Sequence, residues 1–236
     1  MSEKKHLVMA IPDFHAPFEH KDAYEFLKAV KRKEGPTKFV NLGDEADMHA
    51  FSTNFRPDPD GDSPGHELKR AVSHLKASLY KLSPDMLVCT SNHTARPFRK
   101  AFEFGLPKAV LKAYSEFLEA PKGWKWADHH EVDGVRYEHG EGVSGANGAI
   151  KAALQNMQST VIGHIHAFAG IQYSANPRHL VFGFNTGCLI DKDQYAFAYG
   201  RTIRAKPILG VGLVERGVPR FIPMNLSTKG RWTGKL

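Results

Sequence analysis

The chain is divided into short apolar runs, and the same few polar residues end each of them. Residues 6–11 (HLVMAI) stop at Pro12-Asp13-Phe14-His15, residues 38–42 (KFVNL) at Gly43-Asp44, and residues 86–90 (MLVCT) at Ser91-Asn92-His93. Between these runs lie helical patterns. Residues 21–33 place Ala23, Phe26, Leu27 and Val30 on one face before Gly35-Pro36. Residues 66–82 repeat Leu68, Val72, Leu75, Leu79 and Leu82 at three- and four-residue steps. Residues 107–118 and 147–157 also read as helices, and residues 132–138 as a strand ending at His139-Gly140. The stretch from Thr160, TVIGHIH, is a buried strand that breaks at Gly163 and presents His164 and His166. Near-extended backbone after Gly163 would turn both imidazoles to one side, because residues i and i+2 share a strand face.

Beyond Ala167 the pattern changes. Residues 179–190, 194–199, 207–214 and 218–223 read as strands separated by turns. Alternating helix and strand followed by a run of strands predicts an α/β core closed by a more antiparallel half, within a single domain spanning 1–236. Residues 51–65 are rich in Pro, Asp and Gly and read as a long loop suited to substrate contact.

Composition narrows the class. Hydrophobic residues make up 42% and charged residues 24% of the 236, as in ordinary globular domains, and no apolar run approaches the length of a membrane span. The first six residues lead into the first strand run without a signal-peptide pattern. The two cysteines, Cys89 and Cys188, form no C-x-x-C pair, so a reduced, cytoplasmic setting is expected, with Cys188 structural. The formal net charge of +7 is carried entirely by residues 201–236, where Arg201, Arg204, Lys206, Arg216, Arg220, Lys229, Arg231 and Lys235 face Glu215 alone. Such a segment suits a polyanionic partner or serves as a solvated surface.

Strand by strand, the polar stops are Asp13 and His15, Asp44, Asn92 and His93, His139, and His164 with His166. Ligands in open α/β sheets bind at the carboxyl ends of the strands, so one edge would gather these side chains. A carboxylate such as Asp44 can bridge two cations, and two divalent ions about 3.5–4 Å apart form a clamp for displacement at phosphorus. Nitrogen and oxygen donors without thiolate point to manganese, iron, zinc or a similar ion. Asn92 adds a neutral oxygen where a phosphate must approach, and His93 beside it is left to act as a proton donor. Singly, each residue has a plainer use. Asp favours caps and turns, two histidines can decorate a turn, and His129 and His130 compete with His139.

The ordered set D-x-H, G-D-x-x-D, N-H, H-G and G-H-x-H, from Asp13 to His166, resembles the calcineurin-like metallophosphoesterase superfamily. The resemblance implies a four-layer αββα sandwich of two mixed β-sheets flanked by helices. It implies Asp13, His15 and His166 on one metal, Asn92, His139 and His164 on the other, and Asp44 bridging. The expected cofactor is two divalent metal ions, manganese first, with iron, zinc, nickel or magnesium as alternatives. His93 would be the catalytic acid, Asp47 the carboxylate that orients it, and a metal-bridging hydroxide the nucleophile. The expected substrate is a phosphodiester, a nucleotide or nucleic acid, with phosphomonoester hydrolysis as the alternative. A catalytically dead scaffold would be expected to lack some of these residues.

Two departures stand out. The third motif reads Ser91-Asn92-His93-Thr94 where the family has G-N-H-E or G-N-H-D. The second reads Gly43-Asp44-Glu45-Ala46-Asp47-Met48, without the Arg that clamps phosphate in the phosphoprotein phosphatase branch. This argues for a diesterase, with Arg96 or Arg99 as candidate substitutes. Trp124 and Trp126, next to Lys125, suit either base stacking or core packing, the latter being commoner.

Overall fold

A computed structural model describes residues 5–52, 62–192 and 206–236. The strand read at 194–199, Arg201, Arg204 and most of the loop at 51–65 lie outside the described residues.

In chain order the elements are β1 (Leu7–Ile11), α1 (Ala23–Glu34), β2 (Lys38–Asn41), α2 (Pro64–Ala77), α3 (Leu79–Leu82), β3 (Asp85–Cys89), α4 (Arg96–Glu103), α5 (Tyr114–Phe117), β4 (Gly123–Ala127), β5 (His129–Val132), β6 (Val135–Glu138), α6 (Gly148–Asn156), β7 (Thr160–Ile162), β8 (Ala169–Ala175), β9 (Leu180–Thr186), β10 (Gly210–Glu215) and β11 (Val218–Pro223). They form a six-stranded sheet in the order β11-β10-β1-β2-β3-β4 and a five-stranded sheet in the order β5-β6-β7-β9-β8. Both are mixed: β1 to β4 run parallel, and β10 pairs antiparallel with both β1 and β11. In the second sheet β6, β7 and β9 run parallel, and β5 and β8 pair antiparallel at the edges.

Strand period explains the layering. Met9 and Ile11 of β1 pack with Phe26, Leu27 and Val30 of α1 and Leu75 of α2. Val8 and Ala10, on the other face, pack with Val40, Tyr137, Val161, Phe182 and Phe184 between the sheets. Ala149 and Ala152 of α6 lie against Ile162 and Ile165. The result is helix, sheet, sheet, helix, the αββα sandwich expected. Each fully buried Leu or Phe contributes about 2 kcal/mol from apolar burial, so both sheet faces are strongly held.

Several elements differ from the sequence reading. The helix at 66–82 is two helices, because Ser78 leaves helical geometry at φ −125°, ψ −91°. Residues 107–118 do not form one helix: Leu111 and Ala113 are extended, leaving a single 3-10 turn and the four-residue α5. Residues 102–110 are all exposed, so no core face holds a longer helix there. The strand at 132–138 is the end of a hairpin, β5 to β6, turned by Asp133 and Gly134 at φ 52° and 78°. The helix α4 and the edge strand β8 were not expected.

The basic C-terminal segment is partly folded back on the body. Arg231 pairs with Asp22 through its guanidinium, Trp232 N–H donates to the same carboxylate at 2.9 Å, and Arg220 pairs with Glu34 at 2.6 Å. Arg231 holds the Asp22 carboxyl down at about 2. Trp124 and Trp126 belong to the core side of β4, with their indole N–H groups donating to Ser83 O at 3.1 Å and Glu45 Oε1 at 3.0 Å, which favours packing over base stacking. No described helix is long and apolar enough to cross a membrane.

Candidate metal centre

The register brings the strand stops together. Ile11 of β1 pairs with Asn41 of β2, and Asn41 with Val88 of β3, so Asp13, Asp44 and Asn92 leave one edge. Glu138 of β6 pairs with Ile162 of β7, which sends His139 and Gly163-His164 out of the facing edge. Three of these residues turn sharply to enter the site: His15, Asp44 and His164 have φ of 56°, 49° and 63°. Left-handed backbone at a non-glycine residue costs about 1–3 kcal/mol, and surrounding bonds must hold it. Asp44 N–H donates to Ser91 Oγ at 2.8 Å, and His164 N–H lies 3.0 and 2.9 Å from the two Asp13 oxygens.

Close approach requires glycine at two of these turns. A Cβ on Gly163 would lie 2.3 Å from Asp13 Oδ2, and one on Gly43, at φ 96°, 2.6 Å from Ser91 Cβ. Gly163→Ala is therefore expected to destabilise the protein by about 1–3 kcal/mol through overpacking and to weaken metal binding by displacing Asp13. Thermal unfolding with and without manganese measures both effects.

The turn at His164 also corrects the shared-face expectation for the two histidines. With His164 left-handed, the imidazoles diverge: His166 Nε2 lies 3.2 Å from His15 Nε2, and His164 Nδ1 lies 3.2 Å from His139 Nε2. The seven expected ligands thus form two groups. Asp13, His15 and His166 gather on one side, with Asp13 Oδ1 3.5 Å from His166 Nε2. Asn92, His139 and His164 gather on the other, with Asn92 Oδ1 2.7 Å from His139 Nε2. Between them is Asp44 Oδ2, 3.7 Å from His15 Nε2 and 3.4 Å from His139 Nε2. Of the competing imidazoles, His130 is elsewhere, with Nε2 3.0 Å from Val88 O.

The donor chemistry fits cations. Carbonyl and carboxylate oxygens only accept, which sets the ring tautomers. His15 Nδ1 donates to Asp47 Oδ1 at 2.6 Å and His139 Nδ1 to Leu42 O at 2.9 Å. Both Nε2 atoms then carry lone pairs into the site, where they meet other acceptors. His139 Nε2 faces Asn92 Oδ1, Asp44 Oδ2 and His164 Nδ1, and such a set repels unless a proton or a cation stands within it. Without metal the proton takes that place: burial opposes charge on His139, but Asp44 and Asp13 outweigh it and hold the imidazole up at about 10. Burial likewise pushes Asp13 and Asp44 up. Asp13 is nevertheless held below the usual range by His166 and His139, and Asp44 well below it by His139 and His93. Burial beside His139 lowers His164.

His93 stands at the rim of this cluster. Its Nδ1 donates to Asp47 Oδ1 at 2.8 Å, its N–H to Asp44 Oδ1 at 3.0 Å, and its Nε2 lies 4.0 Å from Asp44 Oδ2. Asp47 Oδ1 therefore receives both His15 and His93. Burial would raise Asp47, and these two histidines draw it far below the carboxylate range.

Sequence reasoning missed three supports, Ser91, Thr94 and Glu45. Ser91, in place of the motif glycine, caps Asp44. Thr94, in place of the motif acid, donates from Oγ1 to Glu45 Oε2 at 3.1 Å, so the carboxylate arrives from the second motif instead of the third. Burial pushes Glu45 up to about 7. Arg96 is buried against His93, whereas Arg99 bonds the Asn92 carbonyl at 2.5 Å from an exposed position. An acid beside Asp44 and a hydroxyl beside His93 were the available signal for the Glu45–Thr94 exchange.

No family model matches the sequence, and no curated protein matches it. Among solved structures, the chain is similar to Yfce, a phosphoesterase from E. coli, at 15% identity over 96% of each chain, with a TM-score of 0.44. It is similar to a metallophosphoesterase from Sphaerobacter thermophilus at 12% identity, over 94% of this chain and 89% of that one, with a TM-score of 0.44. It is also similar to Vacuolar Protein Sorting 29 from Cryptosporidium parvum at 12% identity, over 93% and 97%, with a TM-score of 0.43. The site described above stands on its own side chains.

Proposed function

We propose that the chain is a dinuclear metal-dependent phosphoesterase that hydrolyses phosphodiester bonds, with a nucleotide or nucleic acid as substrate. One observation carries the reading: Asp44 Oδ2 is within 3.7 Å of imidazole nitrogens from both ligand groups, the place of a bridging carboxylate. Asp13, His15 and His166 would hold one ion, Asn92, His139 and His164 the other, and Asp44 both. Bound there, divalent ions such as manganese polarise a phosphoryl oxygen and bring the pKa of water to about 7.

The protein's own part is positional. Asp47 Oδ1 fixes the His93 ring with Nε2 toward Asp44; Nε2 accepts from Arg96 in this structure, and a proton placed there once that N–H turns to the phosphate would pass to the leaving oxygen. Asn92, being neutral, satisfies a cation without repelling the incoming phosphate. The diester preference rests on Met48, which occupies the clamp position and is wholly buried in the core, so no cation enters from there. One feature favours the second reading, phosphomonoester hydrolysis: the buried Arg96 guanidinium beside His93 suits a more highly charged phosphate.

Manganese-loaded protein is expected to turn over bis(p-nitrophenyl) phosphate faster than p-nitrophenyl phosphate, and the reverse order selects the monoesterase. His164→Ala is expected to lower turnover by about 10²-fold, equivalent to about 2.7 kcal/mol. Unchanged metal-dependent turnover in that variant would remove His164 from the centre.

A further inference from the structure

We infer that Arg96 is a substrate-binding residue: its guanidinium holds a non-bridging phosphate oxygen beside His93 and sets how strongly the site favours a monoester over a diester. The inference rests on the phosphoesterase reading above and adds a residue that no motif supplies.

Arg96 opens α4, three residues after His93, and only 6% of it is exposed. One arm of the guanidinium is fixed to the protein, with Nη1 donating to Asp47 O at 2.9 Å and lying 3.6 Å from Asp47 Oδ2. The other arm, Nη2, lies 3.1 Å from His93 Nε2. His93 Nδ1 is committed to Asp47, so Nε2 is the atom that meets the leaving oxygen, 4.0 Å from Asp44 Oδ2. A substrate oxygen must therefore enter a volume that a guanidinium N–H already borders.

Burying a guanidinium is costly unless its hydrogen bonds are made. The Asp47 carbonyl and the His93 imidazole edge accept from it, the Asp47 carboxylate adds charge at 3.6 Å, and a phosphate oxygen, a stronger acceptor than an imidazole, can take the place of the His93 contact at Nη2. The planar fork suits this better than an ammonium, because Nη1 stays anchored while Nη2 turns to the ligand. The cation comes from α4, whereas the motif position is held by Met48, a core side chain at φ 52°. A monoester dianion presents more charge to that N–H than a diester monoanion, so losing the guanidinium should cost the monoester more.

The test uses the full-length, manganese-loaded protein with Arg96→Gln and Arg96→Lys. Metal stoichiometry by calorimetry, measured first, is expected to equal that of the unsubstituted protein in both. Inorganic phosphate should then bind Arg96→Gln at least about 10-fold more weakly, as for loss of a charge-assisted hydrogen bond. For the same variant, kcat/KM should fall about 10²-fold with p-nitrophenyl phosphate and about 10-fold with the bis ester, with partial recovery in Arg96→Lys. Unchanged phosphate affinity with intact metal binding overturns the assignment, as does an equal fall on both esters, which would make Arg96 only a support for His93. If Arg96→Gln fails to fold, Arg96→Lys decides alone: a smaller loss that is greater on the monoester supports the assignment, and unchanged phosphate affinity or an equal fall on both esters overturns it. An unsubstituted protein that binds no metal, or binds metal but no phosphate, overturns the phosphoesterase reading itself, an outcome distinct from failure of Arg96 alone.

Discussion

Replacing Asp44 by Asn is expected to lower metal-dependent bis(p-nitrophenyl) phosphate hydrolysis by about 10³-fold and to reduce bound manganese from two ions toward one. Asn keeps the shape and the oxygen that receives His93 N–H at 3.0 Å, so the loss isolates charge. A carboxylate whose Oδ2 lies between both ligand groups would offset the mutual repulsion of two cations, whereas an amide that keeps its oxygen on His93 N–H places there an NH2 that repels them. The charge stabilisation supplied by such ions is several kcal/mol, and about 4 kcal/mol corresponds to about 10³-fold in rate. Metal content of the dialysed variant, read beside its turnover, separates loss of an ion from loss of fold. Two retained ions with full activity would show that Asp44 does not bridge.

The expected size of that effect follows from crowding that no single motif announces. Asp13, Asp44, Asn92, His139, His164 and His166 could be named from the sequence because each ends a short apolar run, and strand ends are local events. Their division into two groups came from the family resemblance alone, because strand spacing would turn His164 and His166 the same way. It depends on the left-handed turn at His164, a backbone choice enforced by the two Asp13 oxygens 151 residues away. Arg96 was only one of two candidates, since the distinction from Arg99 lies in which face of α4 meets Asp47. The hairpin at Asp133-Gly134 was legible, as D-G between apolar runs is a turn signal. Apolar content alone reads the segment as a single strand. The edge strand β8 was not legible, because most of its side chains are at least partly exposed and only its backbone pairing with β9 defines it. Residues 107–118 show the reverse error. Apolar content read as helix, but a helical face needs something to pack against.

Proton release gives the second large effect. In the metal-free protein His139 is held at about 10 by Asp44 and Asp13 against the opposing cost of burial, so at pH 7 it carries a proton on the nitrogen that must face a metal. Binding therefore expels that proton, and affinity should rise about tenfold for each pH unit below 10 in which no other ligand titrates. The stability of the metal-free protein moves the other way. A histidine whose folded pKa lies above its unfolded value near 6.5 lends stability that is full below pH 6.5 and fades as pH climbs through 10. Asp13 and Asp44, held below 3.8, lend stability that is present above that value and lost as acid protonates them. The EDTA-treated protein should then be most stable between about pH 4 and 6.5 and weaken toward pH 10, whereas the gain in Tm on adding manganese should grow across that same alkaline span. Calorimetric titration in two buffers of different ionisation enthalpy should count about one proton released per protein at pH 7.5. A count of zero, or a manganese-induced Tm gain that is flat from pH 6.5 to 9, would mean that His139 does not face the ion.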